Sequence, residues 1–189
     1  LGFNTEKIIL AVARLEPLKG LDILISAIYK IENNSDITLL IAGDYLNNQN
    51  EFERLKTIVN GLDLTKNIKF LGNIDHNKMP IYMSAADVLV MPSYYESFGL
   101  AALEAMACGT PVITSRNSGA KTFIEQGRSG YLIPWNCPEH YAERLEILLK
   151  NPILRANMGQ KATREANKLS WNTAATKTEL VYSNLIKSA

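Results

Sequence analysis

Four ionisable side chains have the types and spacing to handle a phosphorylated ligand: Arg14, Lys19, Glu96 and Glu104. Arg14 closes the apolar run KIILAVAR (residues 7 to 14). Lys19-Gly20 follows a Pro-containing turn where a helical pattern begins, so both cations reach one edge of a sheet. A guanidinium fork, a mobile ammonium and the amides of a helix N-terminus together make a clamp for a diphosphate. The plain alternative for these two residues taken singly is surface pairing with Glu16, since exposed pairs are common and worth little.

The carboxylates lie in PSYYESFGLAALEAMACGTPVITS, residues 92 to 115. Glu96 precedes an Ala-rich helix, and Glu104 falls about one and a half turns inside it, where Ala101, Ala102, Ala105, Met106 and Ala107 offer a charge little polar company. Ser97, Phe98, Gly99 and Leu100 form the turn into that helix, whose free amides favour an anion. Ser97 also reads as a plain helix cap. A carboxylate displaced along a helix from a phosphate site is placed to accept from the two vicinal hydroxyls of a ribose.

Positioning these groups takes a sheet. KIILAVAR, ITLLIAG (37 to 43), IKFLG (68 to 72), VLVMP (88 to 92), PVIT (111 to 114) and GYLIP (130 to 134) are continuous apolar runs, as strands buried on both faces of a parallel sheet are. Between them run helical patterns at 21 to 31, 50 to 62, 77 to 86 and 99 to 109, with a short helix expected near 119 to 126. Three helices close the chain, at 138 to 151, 153 to 169 and 171 to 186, the last ones expected outside the sheet, with Trp171 as a packing anchor. The fold class is therefore α/β: a doubly wound, six-stranded parallel sheet with helices on both faces. Ligands of such sheets bind beyond the carboxyl ends of the strands. The loops at 14 to 20, 43 to 50, 72 to 77, 92 to 99 and 115 to 119 are the ones to inspect.

Composition narrows the partners. With 189 residues, 47% apolar and 21% charged, the chain reads as one globular domain over 1 to 189 that needs no disulfide or metal to fold. A net charge of +1 with interleaved signs gives no field for nucleic acid or an anionic membrane. Cys108 and Cys137 belong to no metal or redox motif and read as reduced thiols of a cytoplasmic protein. No apolar run approaches the roughly 20 residues of a bilayer span, and no signal peptide is evident. Leu1 in place of Met suggests a chain cut from something longer. His76, in a ligand-side loop, and His140 read as solvated surface residues.

Taken together, ARLEPLKGLDILISA, IAGD, IKFLGNI, AADVLVMPSYYESFGLAALEAMACGTPVITS, SGAKTFIEQGRSGYLI and LSWNTAA resemble the C-terminal domain of retaining glycosyltransferases of the GT-B fold, family 4. The likeness covers residues 7 to about 185 and is strongest to inositol-phosphate GlcNAc transferases and sucrose-phosphate synthases. It implies a nucleotide-sugar donor, UDP-sugar favoured, transferred to a hydroxyl with retained anomeric configuration and without metal or other cofactor. Carried over by motif, Arg14 and Lys19 bind the donor diphosphate, Glu96 contacts donor-sugar hydroxyls, Ser97 to Leu100 hold sugar and phosphate, and Glu104 binds the ribose. Gly72, Asn73 and Ile74 correspond to the loop beside the base.

Residues of about 170 to 189 are then a terminal helix directed toward an N-terminal domain that lies outside this chain. That domain would bring a sugar, polyol or lipid-linked acceptor, and the resemblance leaves peripheral membrane association of the full-length enzyme open. The chain alone is expected to bind donor weakly and transfer nothing. Many relatives carry Gly-Gly-x-x-Glu where this chain has Ser118-Gly119-Ala120-Lys121-Thr122, so an acidic residue after the fifth strand is replaced by Thr122. A nucleotide-binding module without catalysis is the alternative from another class. A receiver-like domain would need an acidic cluster at the first strand end, which is absent.

Overall fold

A strand covered on both faces carries no polar alternation, and ITLLIA is such a run, with all six residues buried. It is β2 (Ile37–Ala42) of a sheet whose other strands are β1 (Lys7–Val12), β3 (Ile68–Gly72), β4 (Val88–Met91), β5 (Val112–Ser115) and β6 (Gly130–Ile133). The structure, a computed structural model, describes residues 7–116 and 119–187. All adjacent strands pair in parallel in the order β3-β2-β1-β4-β5-β6, with Lys7 opposite Ile37 and Val12 opposite Ala42 in the longest ladder.

Side chains of successive strand residues point to opposite faces, which divides the core in two. Ile9 and Leu39 face α1 (Leu21–Lys30), α2 (Gln49–Gly61) and α5 (Pro138–Lys150), where Leu24, Leu55 and Leu145 complete one cluster. Leu10 and Leu40 face α3 (Met79–Ala85), α4 (Leu100–Ala107) and α6 (Pro152–Asn167) in the other, with Met83, Met106 and Ala162. The expectation that the last helices lie outside the sheet fails for α6, which joins α5 in the sandwich because Met158, Ala162 and Ala166 are buried in the two core clusters. Only α7 (Trp171–Lys187) stays outside, and from 171 to 186 every residue except half-buried Thr173 is exposed. Among the described residues no helix is long and apolar enough to cross a membrane.

Three further expectations are corrected. The first strand ends at Val12 rather than at Arg14, because the chain turns out of the ladder where the Glu16 amide donates to the Arg14 carbonyl. The helix expected near 119 to 126 is a single 3-10 turn, Gly119–Thr122. The following turn is closed by the Glu125 amide on the Ser129 hydroxyl, which leaves no room for a second helical turn. Trp171 is no packing anchor. It is 81% exposed at the first position of α7.

The amino edge of the sheet is tied by a half-buried network. Asp87, just before β4, accepts the Ile8 amide at 2.8 Å, and its other oxygen meets the Arg155 guanidinium at 2.9 Å. Arg155, on α6, also donates to the last carbonyls of α5, those of Leu148 and Leu149. Removing the cation strands a carboxylate and two carbonyls together, which costs more than the pair itself contributes. Arg155→Met is therefore expected to lower unfolding stability by about 2 kcal/mol, read from the urea midpoint at constant m-value.

Candidate functional site

β1 and β4 are neighbours, but the chain leaves β1 toward β2 and leaves β4 toward β5, so the loops after them part at the carboxyl edge and open a crevice. The loop after β1 buries Leu15 and makes a 3-10 turn, Pro17–Lys19, ended by Gly20 at φ +64. A side chain at Gly20 would meet the Pro92 carbonyl oxygen at 2.4 Å, so glycine lets the two loops touch backbone to backbone. The Tyr94 amide fastens the contact by donating to the Leu18 carbonyl at 2.8 Å. Across this seam the Lys19 ammonium donates to the Glu96 carboxylate at 2.9 Å, with the two side chains only 16% and 20% exposed.

Glu96 is held from its other side as well. The Gly119 amide donates to the Glu96 carbonyl at 2.8 Å, and a Cβ on Gly119 would stand 2.0 Å from the Ser97 carbonyl oxygen. Ser97 and Phe98 are exposed, with the Phe98 ring tilted against Phe123 at 5.3 Å between centroids. Contrary to the capping expected of Ser97, the N-cap of α4 is Gly99 at φ +95, with no side-chain cap. The first-turn amides of α4 are therefore free of intramolecular side-chain acceptors at the cap.

Glu104, the fifth residue of α4, stands about 6 Å along the axis from Leu100. It is half-buried, and among the described residues its carboxylate has no hydrogen-bond or ion-pair partner. It borders two clefts. One, of about 340 Å³, also touches Phe98, Leu100, Lys168, Trp171 and Lys177; the other, of about 230 Å³, touches His76, Met79, Met83, Ala107 and Cys108.

The remaining predicted residues lie on the same edge. Arg14 is 76% exposed in its side chain and pairs with Glu16 at 2.7 Å, the plain alternative weighed for it. Gly72 closes β3 against the Tyr45 ring. Asn73 is exposed, and Ile74 packs on the core of the α4 face. Ser118 lies outside the described residues, as does Leu1. Thr122, in the place of the acidic residue, bonds its own turn through the Gly119 carbonyl.

Sequence reasoning missed three features here. His76, taken as a solvated loop residue, is exposed but lines the smaller cleft with Glu104. Lys168 and Lys177 border the larger one, and only the packing of α7 beside α4 could reveal that. Tyr94 and Trp135 meet edge to face at 4.5 Å on the rim, both partly exposed, a contact between chain-distant aromatics that no local pattern encodes. Among the described residues no group of three or more His, Cys, Asp or Glu is placed to hold a metal ion.

A family model described as "Glycosyl transferases group 1" matches residues 1–165. The chain is 33% identical over 186 residues to D-inositol 3-phosphate glycosyltransferase 2 from Catenulispora acidiphila, covering 95% of this chain and 44% of that protein. A solved sucrose-phosphate synthase from Thermosynechococcus elongatus superposes with a TM-score of 0.89 at 33% identity, over 97% of this chain and 46% of that one. HepE from Anabaena, solved in complex with UDP-glucose, does so with a TM-score of 0.85 at 26% identity, over 97% and 49%. The chain thus spans less than half the length of each of these relatives.

The clamp of Gly119 on the Glu96 loop has a measurable consequence. Gly119→Ala should cost about 2 kcal/mol in chemical denaturation, because backbone rather than a pliable side chain must move. Gly61→Ala at the end of α2, where a Cβ meets nothing within 4 Å, should leave stability unchanged or raise it by about 0.5 kcal/mol.

Proposed function

The chain belongs to the glycosyl transferases group 1 family, and on that footing we propose that it is the donor-binding half of a retaining, hexosyl-transferring enzyme that takes its sugar from a nucleotide diphosphate. One observation carries the reading. A lysine from the β1 loop and a glutamate from the β4 loop meet across the switch point at 2.9 Å, and the adjoining helix carries a carboxylate, Glu104, without a partner among the described residues. The set supplies a cation for phosphate, an acceptor for sugar hydroxyls and an acceptor for a ribose diol, the three kinds of group that a sugar nucleotide presents.

In this reading Lys19 and Arg14 grip the diphosphate and stabilise the charge that grows on the leaving nucleotide. Arg14 gives up little in leaving Glu16, because so exposed a pair is screened by water. The amides at Ser97, Phe98, Gly99 and Leu100, at the positive end of α4, share the anion. Glu96 accepts from sugar hydroxyls and Glu104 from the ribose. The base lies toward Gly72, Asn73 and Ile74, beside the smaller cleft. UDP is the favoured nucleotide because HepE is described in complex with UDP-glucose.

Transfer breaks the bond between the anomeric carbon and the diphosphate oxygen and forms one to the acceptor oxygen on the same face, the acceptor proton passing to the departing phosphate. An acceptor must be brought by polypeptide outside this chain, since the relatives are more than twice its length. The exposed face of α7, residues 171 to 186, is the surface we assign to that contact. The chain by itself binds donor and transfers nothing.

Titration calorimetry with UDP, GDP and ADP tests the whole reading; saturable binding of one diphosphate is expected. A chain that binds none would instead be an interaction module with the same fold. Glu104→Gln should weaken binding of that diphosphate about tenfold, and an unchanged affinity removes the ribose role. Lys19→Ala should weaken UDP about tenfold or more while leaving uridine within a factor of about two; equal losses for both ligands would contradict a phosphate contact.

A further inference from the structure

Lys19 and Glu96 are both given to the donor in the reading above, yet the structure bonds them to each other. The pair is not a chance surface contact. Each partner's backbone is pinned independently, Lys19 through the Leu18–Tyr94 hydrogen bond and the Gly20–Pro92 contact, Glu96 through Gly119. Neither loop needs ordering to form the pair, so closing it costs only the freedom of the two side chains. With both side chains about four-fifths buried, the attraction is also less screened than at an open surface.

A diphosphate arriving alone must take Lys19 from Glu96. It then leaves behind a carboxylate with no cation, close to the incoming negative charge. A sugar nucleotide meets no such penalty, because its sugar hydroxyls offer the carboxylate donors in place of the ammonium. Ligands that need a state in which Lys19 is free bind more weakly in proportion to how rarely that state occurs.

We propose that Glu96 is a release device for the product: once the sugar has left, the carboxylate reclaims Lys19 and drives the nucleoside diphosphate out. This rests on the donor-site reading above. It assigns to the Lys19–Glu96 pair a second task, discrimination between the charged donor and the spent nucleotide. Arg14 keeps no comparable check, since its partner Glu16 is on the same short loop and the pair is largely in water.

The test is a set of affinities on the 189-residue chain, measured by calorimetry or NMR titration with UDP, UDP-glucose and uridine. Glu96→Gln, folded by circular dichroism, should bind UDP about three- to tenfold more tightly than the wild type. It should bind UDP-glucose more weakly and uridine equally, so the preference between UDP and UDP-glucose reverses. In a Lys19→Ala background the same substitution should yield a smaller gain for UDP, the coupling expected when two groups contend for one. Should Glu96→Gln fail to fold, Glu96→Ala carries the same comparison.

UDP bound equally or more weakly by the Glu96 variants overturns the proposal. So does an equal gain in both backgrounds, which would mean plain repulsion between carboxylate and phosphate with no contest for the lysine. Absence of binding of UDP, GDP and ADP to the wild type sinks the donor-site reading itself, and the release device with it.

Discussion

The carboxyl edge of this sheet depends on a close approach of two backbones. Lys19 and Glu96 are 77 positions apart and sit on loops that the topology sends in opposite directions. They meet because Gly20 lies against the Pro92 carbonyl where any side chain would collide. Gly119 repeats the device one strand further on, against Ser97. Two residues without side chains thus bring two charged ones to hydrogen-bonding distance, and the strands beneath, buried on both faces, give the loops a rigid base.

The molecule has a second ion pair of nearly equal burial, and the contrast separates structure from function. Arg155 and Asp87 are 14% and 19% exposed, Lys19 and Glu96 16% and 20%. At the amino edge both partners have further contacts with the protein. The second Asp87 oxygen takes the Ile8 amide, and Arg155 caps the end of α5. Among the described residues the side chains of the carboxyl-edge pair bond only each other, beside open helix amides and a Glu104 without a partner. Since a part-buried charge is costly without partners, a pair with spare hydrogen-bonding capacity is one whose environment is completed by something else.

Much of this was legible in the sequence because burial leaves a mark on composition. The six apolar runs became six parallel strands, and KIILAVAR and ITLLIAG lie side by side as β1 and β2. The motif residues fell on one edge because topology, once parallel and doubly wound, leaves the loops after β1 and β4 adjacent. What the sequence hid was of two kinds. Local exchanges between equivalent caps went astray: Ser97 is a good N-cap by type, yet the left-handed backbone at Gly99 took that place. Contacts made by distant segments were invisible, including Lys19 with Glu96, Tyr94 with Trp135, and Lys168 and Lys177 beside Glu104. Trp171 was misjudged for a related reason, since an indole reads as a packing residue by type, whether or not neighbours in the fold cover it.

That last residue bears on how complete the site is. The larger cleft beside Glu104 has one wall from α4 and the other from the start of α7, through Trp171, Thr173, Ala174 and Lys177. α4 is fixed by the core, with Ala102, Ala105 and Met106 fully buried. α7 is not: Val181, Tyr182, Leu185 and Ile186, neighbours on one side of the helix, are 56%, 63%, 61% and 77% exposed. The cleft is therefore bounded on one side by a helix held in the core and on the other by an exposed one. Under the proposed function, whatever covers α7 also sets the width of the space in front of Glu104, so acceptor-side contacts and donor-side geometry are joined through a single helix.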